Sequence, residues 1–271
     1  MEKVEYLKAF VEFAKTFPVP QETLLESERK RLEFITRFPL EKLNELTLEE
    51  YSSGTGKDSF CYWLEFKHII FGIGGGNASK FGIYKSSVDN NFYNTANSNK
   101  VPLNDQEANQ YFENIKEKLL LALDYTKNNE IEKIQSLDIP VWNMVITKIL
   151  AMYYPEKFIY TAKKEVLESC AKELEIENVD ISANNIIQIN YEIRKKLNSI
   201  SEFKDWDTDR LSRVIWHYYS PKSKNGEDFW KIAPGEKGKN WEEFRDAGEI
   251  RINFPNTKDL REYQSQKEIR D

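Results

Sequence analysis

Apolar positions recur at helical spacing along most of this chain. Over residues 4–17, Val4, Leu7, Val11 and Ala14 make one stripe, and Tyr6, Phe10, Phe13 and Phe17 widen it, which predicts an amphipathic helix. Pro18 and Pro20 end it. A second helix is predicted over 21–38, with Thr23 and Glu26 at capping-box spacing and Pro39 as its stop. Thr47 and Glu50 repeat the box ahead of a short helix. From residue 105 the helical period takes over. A helix over 105–127 turns Phe112, Ile115, Leu119, Ala122 and Leu123 inward, and another starts at Pro140, a favourable first helical residue, carrying Trp142, Val145, Ile146, Ile149 and Met152. Three more are predicted over 163–174, 184–197 and 208–219.

The period changes in the middle of the first half. Phe60-Cys61-Tyr62-Trp63-Leu64-Glu65-Phe66 is a continuous aromatic and apolar run, so 59–70 predicts a largely buried strand. Gly72 to Asn77 reads as a turn and Phe81-Gly82-Ile83-Tyr84 as the next strand, giving a small antiparallel hairpin or meander. The Asn- and Ser-rich stretch 86–104 reads as surface loop. Near the carboxyl end, Phe229 to Ile232 predicts a short strand, Pro234-Gly235 a turn, Trp241 to Ala247 one or two helical turns closed by Gly248, and the alternation of Ile250 and Ile252 with Arg251 and Asn253 a further strand. Pro221 and Gly226 lie in a polar stretch that marks a domain boundary. The expected fold class is α+β: a mostly helical domain over 1–220 with a small antiparallel sheet, a linker over 221–227, and a second domain that opens with strands over 228–271, which the resemblance given next implies to be the start of a PUA-like β-barrel. No internal repeat is visible.

The stretch Trp230-Lys231-Ile232-Ala233-Pro234-Gly235-Glu236, followed by Trp241 and by Gly248-Glu249-Ile250-Arg251-Ile252-Asn253-Phe254, resembles the opening of EVE domains, small PUA-like modules, in the version joined to McrB-like restriction GTPases. Asp259 to Tyr263 and Ser265 to Ile269 continue the likeness. The family usually has Gly-Trp where this chain has Asn253-Phe254, and the sequence given stops at Asp271, inside the barrel that the resemblance implies. Two further segments resemble the amino-terminal region ahead of some McrB-like proteins: Phe60 to Glu65 with Gly74-Gly75-Gly76 and Lys80 to Tyr84, and Lys148 to Phe158. The family supplies no settled role for that region.

The resemblance implies a reader of flipped, modified bases. Such a base needs a π face to stack on and polar groups for its pairing edge. Trp230, Trp241 and Phe254 are the candidate pocket aromatics, with Gly235 at the turn and Lys231, Lys237 and Lys239 at a rim facing phosphate. The bland alternative makes Trp230 and Ile232 barrel core and the lysines solvated charges. The resemblance also implies an AAA+ GTPase motor in the full protein, where GTP and Mg²⁺ would bind and where self-association would arise, and a separate McrC-like nuclease subunit as partner. This chain holds no motor motif, so no cofactor and no enzymatic activity of its own are expected, and its expected partner is DNA carrying modified bases.

Charge and composition narrow the reading. The net charge is −6, yet residues 222–271 hold 11 basic and 11 acidic residues, so the excess acid lies in the first 221. Without a basic tail, phosphate attraction alone does not predict strong DNA binding, and base capture must carry more of the affinity. Two cysteines and two histidines are too few for a disulfide framework or a His/Cys metal cluster; Cys61 and Cys170 read as buried thiols in a reducing cytosol. No run approaches the roughly 18 apolar residues of a membrane span. The start Met1-Glu2-Lys3-Val4 has no signal-peptide pattern, so a cytoplasmic protein with no membrane partner is expected.

Three other motifs carry residues with a chemistry of their own. Gly54-Thr55-Gly56-Lys57-Asp58-Ser59 mimics a phosphate-binding loop, but Tyr51 stands at the first glycine position, Asp58 follows the lysine, and no strand-loop-helix context surrounds it. Gly74-Gly75-Gly76 could form an anion nest at a phosphate with Lys80 close by, or simply a hairpin connection needing positive φ. Glu65 and Lys67 would share one face of the predicted strand. That is the pairing a Mg²⁺-dependent nuclease of the PD-(D/E)xK type sets beside its metal, with Asp58 the nearest further ligand. The alternatives to a base reader are thus this nuclease and a protein-interaction module built on the helical domain. His217, among Trp216, Tyr218 and Tyr219, reads as a packed helix end.

Overall fold

The computed structural model describes residues 2–67, 78–94, 101–177, 179–180, 185–220 and 241–247. The chain divides into two compact units, Met1–Pro221 and Lys222–Asp271. Among the described residues the first is mostly helical with a two-stranded antiparallel sheet. In order it runs α1 (Glu2–Thr16), α2 (Gln21–Arg37), a 3-10 turn (Leu40–Glu45), α3 (Leu48–Tyr51), α4 (Phe60–Tyr62) continued by a π-helical turn (Trp63–Lys67), and a 3-10 turn (Ala78–Phe81). Strands β1 (Ile83–Lys85) and β2 (Phe92–Asn94) follow, then α5 (Asp105–Lys127), α6 (Asn143–Tyr153), α7 (Lys164–Glu173), α8 (Ile186–Asn198) and α9 (Thr208–Tyr219). In the second unit, α10 (Trp241–Ala247) is the described element.

Two apolar cores lie side by side in the first unit. One gathers Phe34 and Phe38 at the end of α2, Tyr51, Phe60, Leu64, the hairpin, the inner face of α5 and nearly all of α6. The other gathers Phe10 and Ala14 of α1 with α7, the inner faces of α8 and α9, and Phe203. α6 is buried over eight consecutive residues, Val145 to Met152, which makes it a central helix rather than an amphipathic one.

The segment Phe158-Ile159-Tyr160-Thr161 threads between the cores. Phe158 and Tyr160 belong to the first and Ile159 to the second. An extended segment in a dry interior needs partners for its amides, and here polar side chains from two helices provide them. Asn190 of α8 accepts from the Ile159 N–H at 2.9 Å and donates to the carbonyls of Ile159 at 2.9 Å and Thr161 at 2.7 Å. Ser212 of α9 accepts from the Tyr160 N–H at 2.9 Å, and Thr208 donates to the Phe158 carbonyl at 3.0 Å.

Several local expectations are corrected. The run 59–67 is helical, not a strand. Ser59 caps α4, its side chain accepting from the Tyr62 N–H. Phe60, Cys61 and Leu64 are the buried positions while Phe66 and Lys67 are exposed, a helical and not an alternating pattern. A continuous apolar run carries no period of its own, and the cap decides. Residues 68–70 and the Gly72 to Asn77 turn lie outside the described residues. β1 therefore pairs not with that run but with Phe92–Asn94, inside the stretch expected to be loop, in the register Ile83↔Asn94, Tyr84↔Tyr93, Lys85↔Phe92. The α6 helix starts at Asn143 rather than Pro140, because the Trp142 N–H is committed to the Lys80 carbonyl at 3.0 Å. The Thr47/Glu50 capping box forms; the Thr23/Glu26 one does not, since α2 begins at Gln21 and Glu26 pairs with Arg29 at 2.5 Å.

Two glycines fit their positions for steric reasons. Gly54 has φ +89°, and a Cβ there would stand 2.0 Å from the Lys85 carbonyl oxygen. The loop that mimics a phosphate-binding motif is thus pressed against the edge of β1, where Lys85 N donates to Ser53 O at 2.9 Å. Gly82 has φ +85°, with a Cβ site 2.5 Å from the Pro140 carbonyl oxygen. Gly82→Ala is expected to lower stability by about 2 kcal/mol, through left-handed backbone strain plus displaced backbone. Urea unfolding of the two chains compares them directly, and an unchanged midpoint would show that the turn relaxes freely.

Candidate functional site

Three elements of the first core bring charged side chains together in the interior. The π-helical turn presents Glu65, whose side chain is 13% exposed. The 3-10 turn before β1 presents Lys80, which is fully buried and donates to Glu65 Oε1 at 2.5 Å. The middle of α6 presents Lys148, also fully buried, which donates to the Leu64 carbonyl at 2.8 Å. Wider π turns recur where a side chain must be re-aimed, and here the turn lets Leu64 and Glu65 face the two amines in succession.

The electrostatics follow from the burial. Desolvation, and secondarily the charge of Lys80, lower the Lys148 amine to about 7, while Glu65 works in the opposite direction. On the same floor, burial pushes the Cys61 thiol well up, and the Tyr51 hydroxyl likewise. The Tyr51 hydroxyl donates to the Phe81 carbonyl at 2.9 Å, so the turn holding Lys80 is tied down on both sides. An amine that is neutral near pH 7 has the chemistry of a nucleophile or a base. Lys148 has no exposed surface through which a solute could reach it. The cluster therefore fixes how the π turn, the hairpin and α6 meet.

The residues singled out from the sequence separate into distinct places. Glu65 and Lys67 do not share a strand face: Glu65 points inward to Lys80 and Lys67 is exposed. Asp58, with its side chain 67% exposed, accepts from Arg37 at 2.6 Å and from the Trp63 indole N–H at 2.9 Å. Asp58 and Glu65 thus engage different cations. Among the described residues no group of three or more His, Cys, Asp or Glu side chains is placed to hold a metal. Lys80, expected at a phosphate beside the glycine run, lies in the interior. Trp241 begins α10 and is 58% exposed. Trp230, Lys231, Gly235, Lys237, Lys239, Phe254 and Gly75 lie outside the described residues, as do the strands expected around 229–232 and 250–253. His217 is exposed at the end of α9, its ring 4.7 Å from that of Phe17. Both cysteines are buried free thiols, and no helix among the described residues is long and apolar enough to cross a membrane.

Lys148 was missed by sequence reasoning. Its signal was present: it stands three residues after Val145 and four before Met152, a lone cation on the apolar stripe of α6. Sequence comparison adds no assignment, since no protein-family model, curated protein or solved structure matches the chain.

Proposed function

We propose that the chain is the target-recognition part of a modification-dependent DNA restriction protein of the McrB-like type, acting in the cytoplasm. In this reading the second unit is the beginning of a PUA-like barrel that captures a flipped, modified base. Trp230, Trp241 and Phe254 border the pocket, with Gly235 at its turn and Lys231, Lys237 and Lys239 at its rim. GTP hydrolysis and self-association belong to an AAA+ motor of the whole protein, and strand cutting to a McrC-like partner subunit.

The observation that carries the reading is the ordered run of motif residues from Trp230 to Phe254. It is supported by Trp241, which starts a short helix with more than half of its surface open. A large aromatic with an open face is what base stacking requires, each stacked base contributing about 1–3 kcal/mol. Balanced charge in residues 222–271 fits capture by a pocket rather than by phosphate attraction.

The test is fluorescence anisotropy on duplexes that differ in a single base, plain or bearing 5-methylcytosine, 5-hydroxymethylcytosine or N6-methyladenine. The full chain is expected to prefer one modified duplex. Trp241→Ala is expected to reduce that preference about tenfold, equivalent to about 1.4 kcal/mol, with an unchanged circular dichroism spectrum. Equal affinity of the intact chain for every duplex would remove the reading.

A further inference from the structure

Within the first unit, two 3-10 turns, Ile131–Lys133 and Gln135–Leu137, and the first turns of α6 and α8 surround a cleft of about 110 Å³. Its floor is isoleucine. Ile131, Ile134 and Ile146 are buried members of the first core, and Ile187 packs against that core. Four polar side chains stand around this floor: Gln135, Asp138, Asn143 and Gln188. Among the described residues none of the four makes a side-chain hydrogen bond or ion pair. Gln135 and Asp138 are exposed and Asn143 and Gln188 half-buried, and the polar atoms of the latter two keep accessible surface. Asn185 also lines the cleft, but its Oδ1 is buried and no contact is placed on it. The frame is fixed before any ligand arrives. The Lys118 amine donates to the Asp138 carbonyl at 2.9 Å, which pins the turn and leaves the Asp138 carboxylate open. Asn143 and Gln188 sit on helices, which position a side chain more sharply than a loop does.

Among the described residues no lysine, arginine or histidine lines this cleft, so a phosphate or a free amino acid would find no partner for its anionic group. A metal ion is disfavoured, because among the described residues no three ligating side chains converge. A simple amine would meet Asp138 and leave the three carboxamides idle. Each carboxamide offers a donor and an acceptor, whereas the carboxylate only accepts. The matching occupant is neutral, has an apolar face for the isoleucines, carries donors and acceptors along its edge, and includes an amino group. A sugar has the donors and acceptors but a narrower apolar face. We propose that this cleft binds a neutral nucleobase bearing an exocyclic amino group, its ring on the isoleucine floor, its edge on Gln135, Asn143 and Gln188, and its amino group donating to Asp138. Asn and Gln side chains pair with the amino group and ring nitrogen of adenine in just this donor-acceptor sense. The cleft lies below the size usual for drug-like ligands, which suits one ring system without its sugar and phosphate. The site is separate from the Trp230 to Phe254 motif and does not depend on it.

Isothermal titration of the full chain with adenine and with cytosine tests the proposal. One molecule of at least one of them is expected to bind per chain. Hypoxanthine and uracil, in which a carbonyl replaces the amino group, are expected to bind about tenfold more weakly than adenine and cytosine respectively, since the charge-assisted contact to Asp138 is lost. Asp138→Asn is expected to weaken binding of the amino-bearing base by a similar factor at an unchanged melting temperature. The Asp138 side chain is exposed and its φ of +45° is one that asparagine adopts readily. Gln188→Ala is the second variant, with about a fivefold loss expected for one neutral hydrogen bond. Four results would overturn the proposal. One is no heat from either base at millimolar concentration, the outcome if the cleft holds water alone. Another is equal binding of each base and its carbonyl counterpart. A third is an affinity unchanged in both variants, which would place the base elsewhere on the chain. The fourth is binding of glucose as tight as that of adenine and cytosine.

Discussion

Asn190→Ala is expected to destabilise the first unit by about 4 kcal/mol, far more than the loss of a small buried amide would suggest from its size. The reason is what the side chain leaves behind. Its Oδ1 satisfies the Ile159 N–H, and its Nδ2 satisfies two carbonyls, those of Ile159 and Thr161. Asn190 has no exposed surface and Ile159 is equally buried, so water does not replace the lost partners without opening the structure. Each orphaned buried group costs about 1–3 kcal/mol, and three are orphaned at once. Ser212→Ala serves as the internal comparison. Its hydroxyl accepts from the Tyr160 N–H at 2.9 Å and donates to the Thr208 carbonyl at 2.5 Å. The latter is a helix carbonyl that keeps its backbone partner, so about 1–2 kcal/mol is expected. Urea unfolding of both variants reads the ranking. Equal, small losses would mean that the extended segment is held by apolar packing of Phe158 and Ile159 alone.

That segment also shows where sequence reading stops. Asn190 lies on a helix predicted from its period, but nothing local to it says that its amide serves residues 31 positions earlier. The same limit separates the elements that were legible from those that were not. The α5 stripe from Phe112 to Leu123 is buried as its spacing predicts, because a helical period is a local property that tertiary packing then uses. The capping box at Thr47 and Glu50 is equally local and equally present. The run from Phe60 to Phe66 is apolar throughout, so its period is undefined and only the Ser59 cap distinguished helix from strand. Strand β2 has one buried residue, Phe92, in polar surroundings, and exists because β1 offers it an edge. Glu65 was legible as a carboxylate in an apolar run, but its partner was misjudged. Lys67, two residues away, is the natural choice on a strand; once the run is helical, Glu65 faces Lys80 instead. Lys148 was visible only as an exception to the stripe of α6, and its role depends on two elements far away in sequence.

Lys148→Met should abolish a rise in stability that the parent chain shows between about pH 7 and 8.5. Burial lowers this amine to about 7 in the folded chain, whereas in the unfolded chain it regains its ordinary value of about 10.4. Between those limits the unfolded chain holds a proton that the folded chain has released. Stability then increases with pH, with a slope approaching about 1.4 kcal/mol per pH unit. The contribution is complete above the unfolded value and is lost as pH falls through about 7. Cys61 and Cys170 act in the opposite sense. Burial raises both thiols, so above about pH 8.5, near the ordinary thiol value, the unfolded chain releases those protons first and stability declines. The parent chain should therefore be most stable near pH 8.5. The variant should lose the rising limb, keep the falling one, and be most stable near neutrality. Below pH 7 the variant should match or exceed the parent. Removing a desolvated cation from beside Lys80 offsets the hydrogen bond lost at the Leu64 carbonyl, which is itself of the order of 1 kcal/mol. Asp209, raised to about 6 by burial, makes stability fall as pH rises from about 4 to 6, so it leaves this window undisturbed. Urea unfolding in half-unit steps from pH 6 to 9.5 separates the limbs. A rising limb that survives in Lys148→Met would assign it to another group and leave the buried cluster of Glu65, Lys80 and Lys148 with a fully charged amine at its centre.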